Sequence, residues 1–493
     1  MSTFLNELKK QNATSLTQNG GKQYSETGSY LLDYFSQMGM MRNKSSEDIQ
    51  RKFELAYQEN SKYAPKAIFY GRDIRNCGNG ERHQFREAFL KFAELDQVRA
   101  ANVLHLIPFF GRWDDVVYIV CNSKMSLIED TGVNLLREQL FSDLNRMYNN
   151  EHISLLAKWM PSINASSKTT RKYAQHLYTK MGFKTERDYR KTLSVLRTYI
   201  GVLETKLSKN EWNDIDYSTV PSLAFKKYGK AFAKHCYEQL KEFFSKVERG
   251  EEKINANTLS VINVITKEII DDWYYNNRSR STDKDFALEN LQWKNLPNYL
   301  TSNRNVLVVA DSSGSMIGNP MRAAFGLAMY FAERNTGIWK DYMMTFSSEP
   351  SLVKLVGNTI QEKLKCIPSI VEDTNFDATM KLVYETALKS KADDVPDLVI
   401  ITDGQFNCMV DNADDTVFEK YKKLFEEAGL KMPSVTFWNV NDAPSYQAFG
   451  NVSGVQFASG YSFGIFKQVI EGLGMTAYDA MIKALDNPIY KHI

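Results

Sequence analysis

The sequence predicts a multidomain chain, with an all-α helical region over residues 1–295 followed by an α/β doubly wound domain over residues 296–493. Three observations predict it. Up to about residue 275, apolar side chains recur at three- and four-residue spacing. Beyond residue 300, short apolar runs rich in β-branched residues alternate with helical stretches. At 493 residues the chain also exceeds what one hydrophobic core of ordinary size organises.

Taken in order, the helical segments include "EDIQRKFELAYQEN", "ERHQFREAFLKFAEL", "YRKTLSVLRTYIGVLETKL" and "KHCYEQLKEFFSKV". Turn chemistry separates them. "NCGNGE" and "FFGRWDD" fall between helices, and Gly182 can end one helix where Thr185 with Asp188 starts the next. Successive helical pairs of this size would stack as a solenoid, although no strict sequence period is visible. Residues 276–300 are polar and read as a connecting segment. After it come the strands "NVLVVAD", "YMMTFS", "PDLVIITD" and "SVTFWNV", interleaved with the helices "MRAAFGLAMYFAERN", "ATMKLVYETALKS" and "TVFEKYKKLFEEAG".

Composition narrows the classes. Hydrophobic content of 43% is ordinary for a globular chain. No apolar stretch approaches the ~20 residues that cross a bilayer, and the N-terminus lacks the apolar core of a signal peptide. A soluble cytoplasmic protein with no membrane partner is expected. The cysteines at 77, 121, 236, 366 and 408 are scattered without C-x-x-C spacing, so they read as reduced structural thiols. Charge is asymmetric: residues 1–300 hold 44 Lys+Arg against 36 Asp+Glu, and the remainder holds 17 against 23. Residues 151–200 carry 10 basic and 3 acidic side chains, which makes them a candidate anion-binding face.

The apolar run of residues 305–310 stops at Asp311, at the carboxyl end of a strand, where ligands bind in open α/β sheets. In "DSSGS", Asp311, Ser313 and Ser315 alternate, so their oxygens can face one cavity. "DTNFD" offers Thr374 and "ITDG" offers Asp403. Few carboxylates with several hydroxyls suit a hard divalent cation such as Mg²⁺. A lone "DSSGS" could equally be a polar capping turn; three pieces in order at strand ends favour a site. This pattern resembles the metal-ion-dependent adhesion site of von Willebrand factor A domains, and the resemblance covers the whole C-terminal domain. It implies that Asp311, Ser313, Ser315, Thr374 and Asp403 hold Mg²⁺, or another divalent cation such as Mn²⁺ or Ca²⁺. A hydrolase reading fits poorly: no histidine lies between His235 and His492, "DSSGS" is not G-x-S-x-G, and no G-x-x-x-x-G-K-[ST] loop follows a strand.

The first half is also recognisable, in "NGGKQYSETGSYLLDYFSQMG", "GRDIRNCGNGERHQFREAF", "LIPFFGRWDDVVYIV", "PSINASSKTTRKYAQHL" and "EWNDIDYSTVPSLAF". These stretches resemble an uncharacterised bacterial and viral family that couples a helical region to a von Willebrand A domain. More distantly they are similar to the Ro ribonucleoprotein (TROVE) family, which implies HEAT-like repeats closing into a ring and binding small or misfolded RNAs. Independently of that, Lys168, Arg171, Lys172, Lys180, Lys184, Arg187, Arg190, Lys191 and Arg197 lie near two helix starts with Tyr173, His176 and Tyr189 interleaved. The first eight are the candidate RNA contacts, and a solvated helix face would carry the same charges.

"GRDIRNCGNGER" invites a phosphate-loop reading, but its glycines follow no strand, so structural pairing among Arg72, Asp73, Arg75 and Glu81 is expected. "RWDD" at 112–115 reads as a helix N-terminus whose aspartates favour the dipole. The functional expectation is a non-enzymatic scaffold for small, single-stranded or structured RNA, with a metal site that recruits an acidic protein partner. The alternatives are a metal-dependent protein-interaction module without RNA and a viral structural or host-interaction component.

Overall fold

The computed structural model describes residues 10–16, 22–76, 78–275, 286–300, 303–368, 375–391, 394–404, 415–441 and 444–493. Helices dominate from Tyr30–Gln37 to Ala287–Lys294, and a six-stranded sheet between helices follows. No helix among the described residues is long and apolar enough to cross a membrane.

The helices form where spacing and caps coincide. In Ser46–Glu59, Ser45 accepts from the Asp48 N–H, two acidic residues sit in the first turn, and Ile49, Phe53 and Ala56 are fully buried. Arg82–Leu95 buries Phe85, Ala88, Phe89 and Phe92 on one stripe, and Phe92 meets Phe53 edge-on with centroids 6.2 Å apart. Gly182, at φ +79°, precedes the helix that Thr185 caps, as the turn chemistry predicts. Two long helical runs are broken. The run from Tyr189 stops at Gly201, at φ +70°, before the short helix Leu203–Ser208, and Cys236 separates Ser222–His235 from Tyr237–Glu248.

The first half is not purely α. Strands β1 (Thr14–Leu16) and β2 (Lys22–Tyr24) pair antiparallel, and Tyr24 exchanges backbone hydrogen bonds of 2.8 and 3.0 Å with Tyr446 in the second half. Nor is residues 276–300 a plain connector: 276–285 lie outside the described residues, but Ala287–Lys294 is a helix burying Leu291, Gln292 and Trp293.

The sheet contains β3 (Val306–Asp311), β4 (Tyr342–Phe346), β5 (Leu352–Lys354), β6 (Asp397–Thr402), β7 (Val435–Asn439) and β8 (Val455–Ser459). Their order is β5-β4-β3-β6-β7-β8, parallel except for β5. The chain runs outward from β3, then returns to β6 on its other side, so the topological switch point lies between β3 and β6. Alternation along the strands divides the core. Leu307, Val309, Leu398, Ile400 and Phe437 join a cluster that continues into the first helices, while Val306, Val308, Val399, Ile401 and Trp438 join one that contains Ala256, Val261, Ile265, Trp293 and Leu296. The helical region therefore begins on one face of the sheet and ends on the other.

The first contact is backbone against backbone. The Gly39 N–H donates to Ser459 Oγ at 3.0 Å, Asn79 Nδ2 donates to the Ser459 carbonyl at 3.2 Å, and Ser462 Oγ donates to the Gly78 carbonyl at 2.9 Å. A Cβ on Gly39 would overlap the backbone of Ser459 and Gly460. Gly39→Ala is therefore expected to destabilise by about 1–3 kcal/mol or more, read as a lowered denaturation midpoint. Gly229→Ala, in a helix where a new Cβ meets nothing within 4 Å, should stabilise by up to about 1 kcal/mol.

Asp33 supplies a pH test. It is buried, its Oδ1 accepts from the Thr27 N–H at 2.8 Å, and burial pushes its pKa up to about 7. A raised acid contributes stability that is complete below its unfolded pKa and lost as pH rises through the folded value. Melting temperature should fall between about pH 4 and pH 8 in the wild type, and Asp33→Asn should flatten that decline; an unchanged slope would show that Asp33 does not control it.

Candidate functional site

At the switch point β3 ends in Asp311, which is fully buried. The Ser313 N–H donates to its Oδ1 at 2.9 Å and Thr402 Oγ1 donates to its Oδ2 at 2.7 Å. Ser313 and Ser315 bring their hydroxyls to 3.1 Å of each other, and Ser315 is exposed, so the turn opens to solvent. Asp403 is also fully buried, and its charge adds to burial in raising Asp311 to about 7. Asp311, Ser313 and Ser315 thus share one turn, with Asp403 close enough for its charge to act on Asp311. Thr374 lies outside the described residues. Thr402 was not singled out in the sequence, although a hydroxyl on the last strand residue before a carboxylate was a legible signal.

Asp311 makes no ion pair among the described residues. Two buried carboxylates beside two hydroxyls, without thiolate or imidazole, fit a hard cation such as Mg²⁺, Mn²⁺ or Ca²⁺ by donor chemistry. Among the described residues no group of three or more His, Cys, Asp or Glu side chains could hold a metal. Any cation here would depend on the serines.

The basic segment forms the helices Lys168–Lys180 and Glu186–Ile200, joined by a short turn. Lys168, Arg171, Lys172, Lys180, Lys184, Arg187, Arg190 and Lys191 are all exposed. Six of them make no ion pair or side-chain hydrogen bond among the described residues. The exceptions are Arg171, which donates to the carbonyls of Ala165 and Ser166 at 2.7 and 2.8 Å, and Lys180, which pairs with Glu129 at 2.8 Å. Because the second helix starts where the first ends, Lys168–Lys172 and Lys184–Lys191 form two patches, separated by about 20 Å, the length of a 13-residue helix.

Three expectations for this segment are corrected. Tyr189 is fully buried and donates to the Pro161 carbonyl at 2.7 Å, so it cannot stack on a base. Arg197 is occupied by the carbonyls of Ala157 and Met160, each at 2.8 Å. The helix starts are already capped by Ser167 and Thr185, with Glu186 and Asp188 in the second helix's first turn, which weakens their pull on phosphate. Beside the first patch lies a cavity of about 750 Å³ lined by Arg86, Tyr118, Lys158, Trp159, Tyr173 and Lys227, among others. The Arg112 guanidinium lies 5.0 Å from the Trp159 ring centroid and Lys158 Nζ lies 5.7 Å from it. Trp159 and Tyr118 were not foreseen, because they approach the basic helix only through the fold.

The arginine-rich loop and "RWDD" form one network. Arg72, 2% exposed, donates from Nε to Asp115 at 2.8 Å, and Arg86 donates to the other Asp115 oxygen at 2.7 Å and to Asp114 at 2.8 Å. Asp115 is therefore a buried bridge between helices, not merely a cap. Arg72, Asp73, Arg75 and Glu81 are engaged structurally as expected, mostly with partners outside the loop. Glu81 binds Arg42, Asp73 accepts from the Arg75 and Asn76 N–H groups and from Tyr490, and Arg75 donates to the Pro108 and Phe109 carbonyls. The described cysteines, Cys121, Cys236 and Cys366, are free thiols, as expected; Cys77 and Cys408 lie outside the described residues.

Comparison with known proteins places the chain among proteins without an assigned activity. The uncharacterised protein L728 of Acanthamoeba polyphaga mimivirus is 28% identical over 524 aligned positions, covering 97% of this chain and 88% of that one. Among solved structures, the Ro (RSR) protein of Deinococcus radiodurans matches over 95% of this chain and 94% of its own, at 11% identity and a TM-score of 0.33, a likeness too low to place any residue here. Residues 305–487 match a family described as Domain of unknown function (DUF7788). Residues 17–111 and 122–304 match the family described as Domain of unknown function (DUF2828), and the chain belongs to that family.

Proposed function

We propose that this protein is a non-enzymatic RNA-binding scaffold whose α/β domain carries a divalent-cation site for an acidic group. One observation carries the RNA reading: Lys168 and Lys172, exposed without acidic partners among the described residues, lie next to a cavity walled by Trp159, Tyr118 and Tyr173, and Lys184, Arg187, Arg190 and Lys191 form a second unpaired basic patch. Basic side chains contact phosphates and aromatic faces stack on splayed bases, the two elements of single-stranded RNA recognition. The sequence resemblance to the Ro ribonucleoprotein family supports the same reading.

Salt dependence tests it. Replacing Lys172, Arg187, Arg190 and Lys191 with alanine should weaken binding of single-stranded RNA and flatten the slope of log K against log[salt] by about two to three units, at about 0.7 per phosphate contact. Trp159→Ala should weaken binding by about 1–3 kcal/mol and leave the slope unchanged, because stacking carries no counterions. Wild type that binds no RNA at low salt, or a four-alanine variant with an unaltered slope, would reduce the segment to a solvated face.

A second reading, in which the rim site grips a carboxylate of a protein partner without RNA, is favoured by the pair Asp311 and Asp403 beside the exposed Ser315. Both readings predict that Mg²⁺ raises the melting temperature of the wild type and not of Asp311→Ala or Asp403→Ala. Equal Mg²⁺ stabilisation of all three proteins would remove the cation site.

A further inference from the structure

A second cavity, of about 500 Å³, lies where three distant parts of the chain converge. The arginine-rich loop and Arg112 form one wall, residues 257–263 and 296–299 another, and residues 462–464, beyond β8, a third. Its charge is one-sided. Arg42, Arg72, Arg82, Arg112 and His83 line it against Asp73 and Glu81, and both carboxylates are already engaged, Asp73 by Tyr490 and backbone N–H groups and Glu81 by Arg42.

Two of the guanidinium groups remain under-compensated. Arg112 has no carboxylate within ion-pair distance of its side chain among the described residues, and its guanidinium rests beside the Trp159 ring. Among the described residues, the carboxylate that Arg82 reaches is Asp114, at 3.5 Å, and Asp114 is held more closely by Arg86 at 2.8 Å. Burial first, and then the charges of Arg72 and Arg82, hold Arg112 below the usual arginine range, the mark of crowded cations. At the same place the helix Arg82–Leu95 begins. Its N-cap residue Glu81 makes no side-chain cap and turns to Arg42 instead, and the first-turn residues Arg82 and His83 both line the cavity at the positive end of the helix dipole.

We propose that this cavity binds a phosphomonoester, with Arg112 and Arg82 on its oxygens and the first turn of Arg82–Leu95 completing the cradle. Guanidinium groups match phosphate geometry, and an uncapped helix start adds N–H donors without requiring a strand before the loop. The volume exceeds that of a lone phosphate and lies within the range of about 300–1,000 Å³ usual for small-molecule sites. The ligand is therefore a phosphorylated molecule of about mononucleotide size, free or at the end of an RNA strand. The proposal does not rest on the RNA reading of the outer helices.

Inorganic phosphate, titrated against chloride at constant ionic strength and read by thermal shift, is the first probe. The wild type should show a saturable stabilisation specific to phosphate. Arg112→Gln and Arg82→Gln should each weaken it by about tenfold or more. Arg82 is 53% exposed, so its variant keeps the test open if Arg112→Gln does not fold. Phosphate acting no differently from chloride, or glutamine variants that titrate like the wild type, would overturn the proposal. Adenosine 5′-monophosphate and a 5′-phosphorylated oligoadenylate distinguish the sources. Comparable binding of the two assigns a small metabolite, and tighter oligonucleotide binding that is lost on dephosphorylation assigns an RNA end. Oligonucleotide binding indifferent to its 5′-phosphate, with no binding of the mononucleotide, would also count against the site.

Discussion

The close approach of Gly39 to Gly460 is the constraint on which the arrangement depends. Two backbones meet there because neither carries a Cβ, and the hydrogen bonds from Gly39 and Asn79 to Ser459 follow from that proximity. The first helices are thereby seated on the carboxyl end of β8, on the same rim as Asp311 and Asp403. The opposite end of the helical region packs Val261, Val264 and Ile265 beneath Gly326 on the other face. Closure of the chain on its own sheet brings Arg72, Arg82, Ser260, Asn263 and Ser462 around one cavity. Without the docking the loop would be a surface turn.

Electrostatics divides the molecule into two kinds of site. On the rim, Asp311 and Asp403 are buried near each other, and the Asp403 charge adds to burial in raising Asp311. Across the helical half the excess is positive, held apart by a few buried acids. Among the described residues, Asp115 spans Arg72 and Arg86 and so occupies two guanidinium groups at once.

Much of the fold was legible. The β-branched runs of β3 and β6 are buried on both faces and could be read directly, whereas β8 could not. Its segment "VQFAS" contains Gln456 and Ser459, both buried, where Gln456 Nε2 donates to the Val469 carbonyl and Ser459 Oγ accepts from the Gly39 N–H, partners outside the strand. The helical pattern of the sequence runs through both Gly201 and Cys236; Gly201, at φ +70°, at least belongs to the residue type that ends helices, whereas no local signal distinguishes Cys236 from a helix-interior residue. The rim residues were legible because their spacing is local to strand ends. Among the basic residues only the charge could be read. Lys180 loses its freedom to Glu129, and Arg72 finds Asp115 43 positions later, pairings that only tertiary structure decides.

The docking of the first helices on the sheet is tested most directly by residue-resolved hydrogen exchange. The Tyr24, Gly39, Tyr446 and Gly450 amides donate to partners in the other half of the chain. If the halves form one unit, these amides exchange as slowly as those of the buried strand Val306–Asp311, through the same cooperative opening. Rapid exchange at all four positions while that strand stays protected would contradict the closed arrangement, and with it the cavity that closure builds.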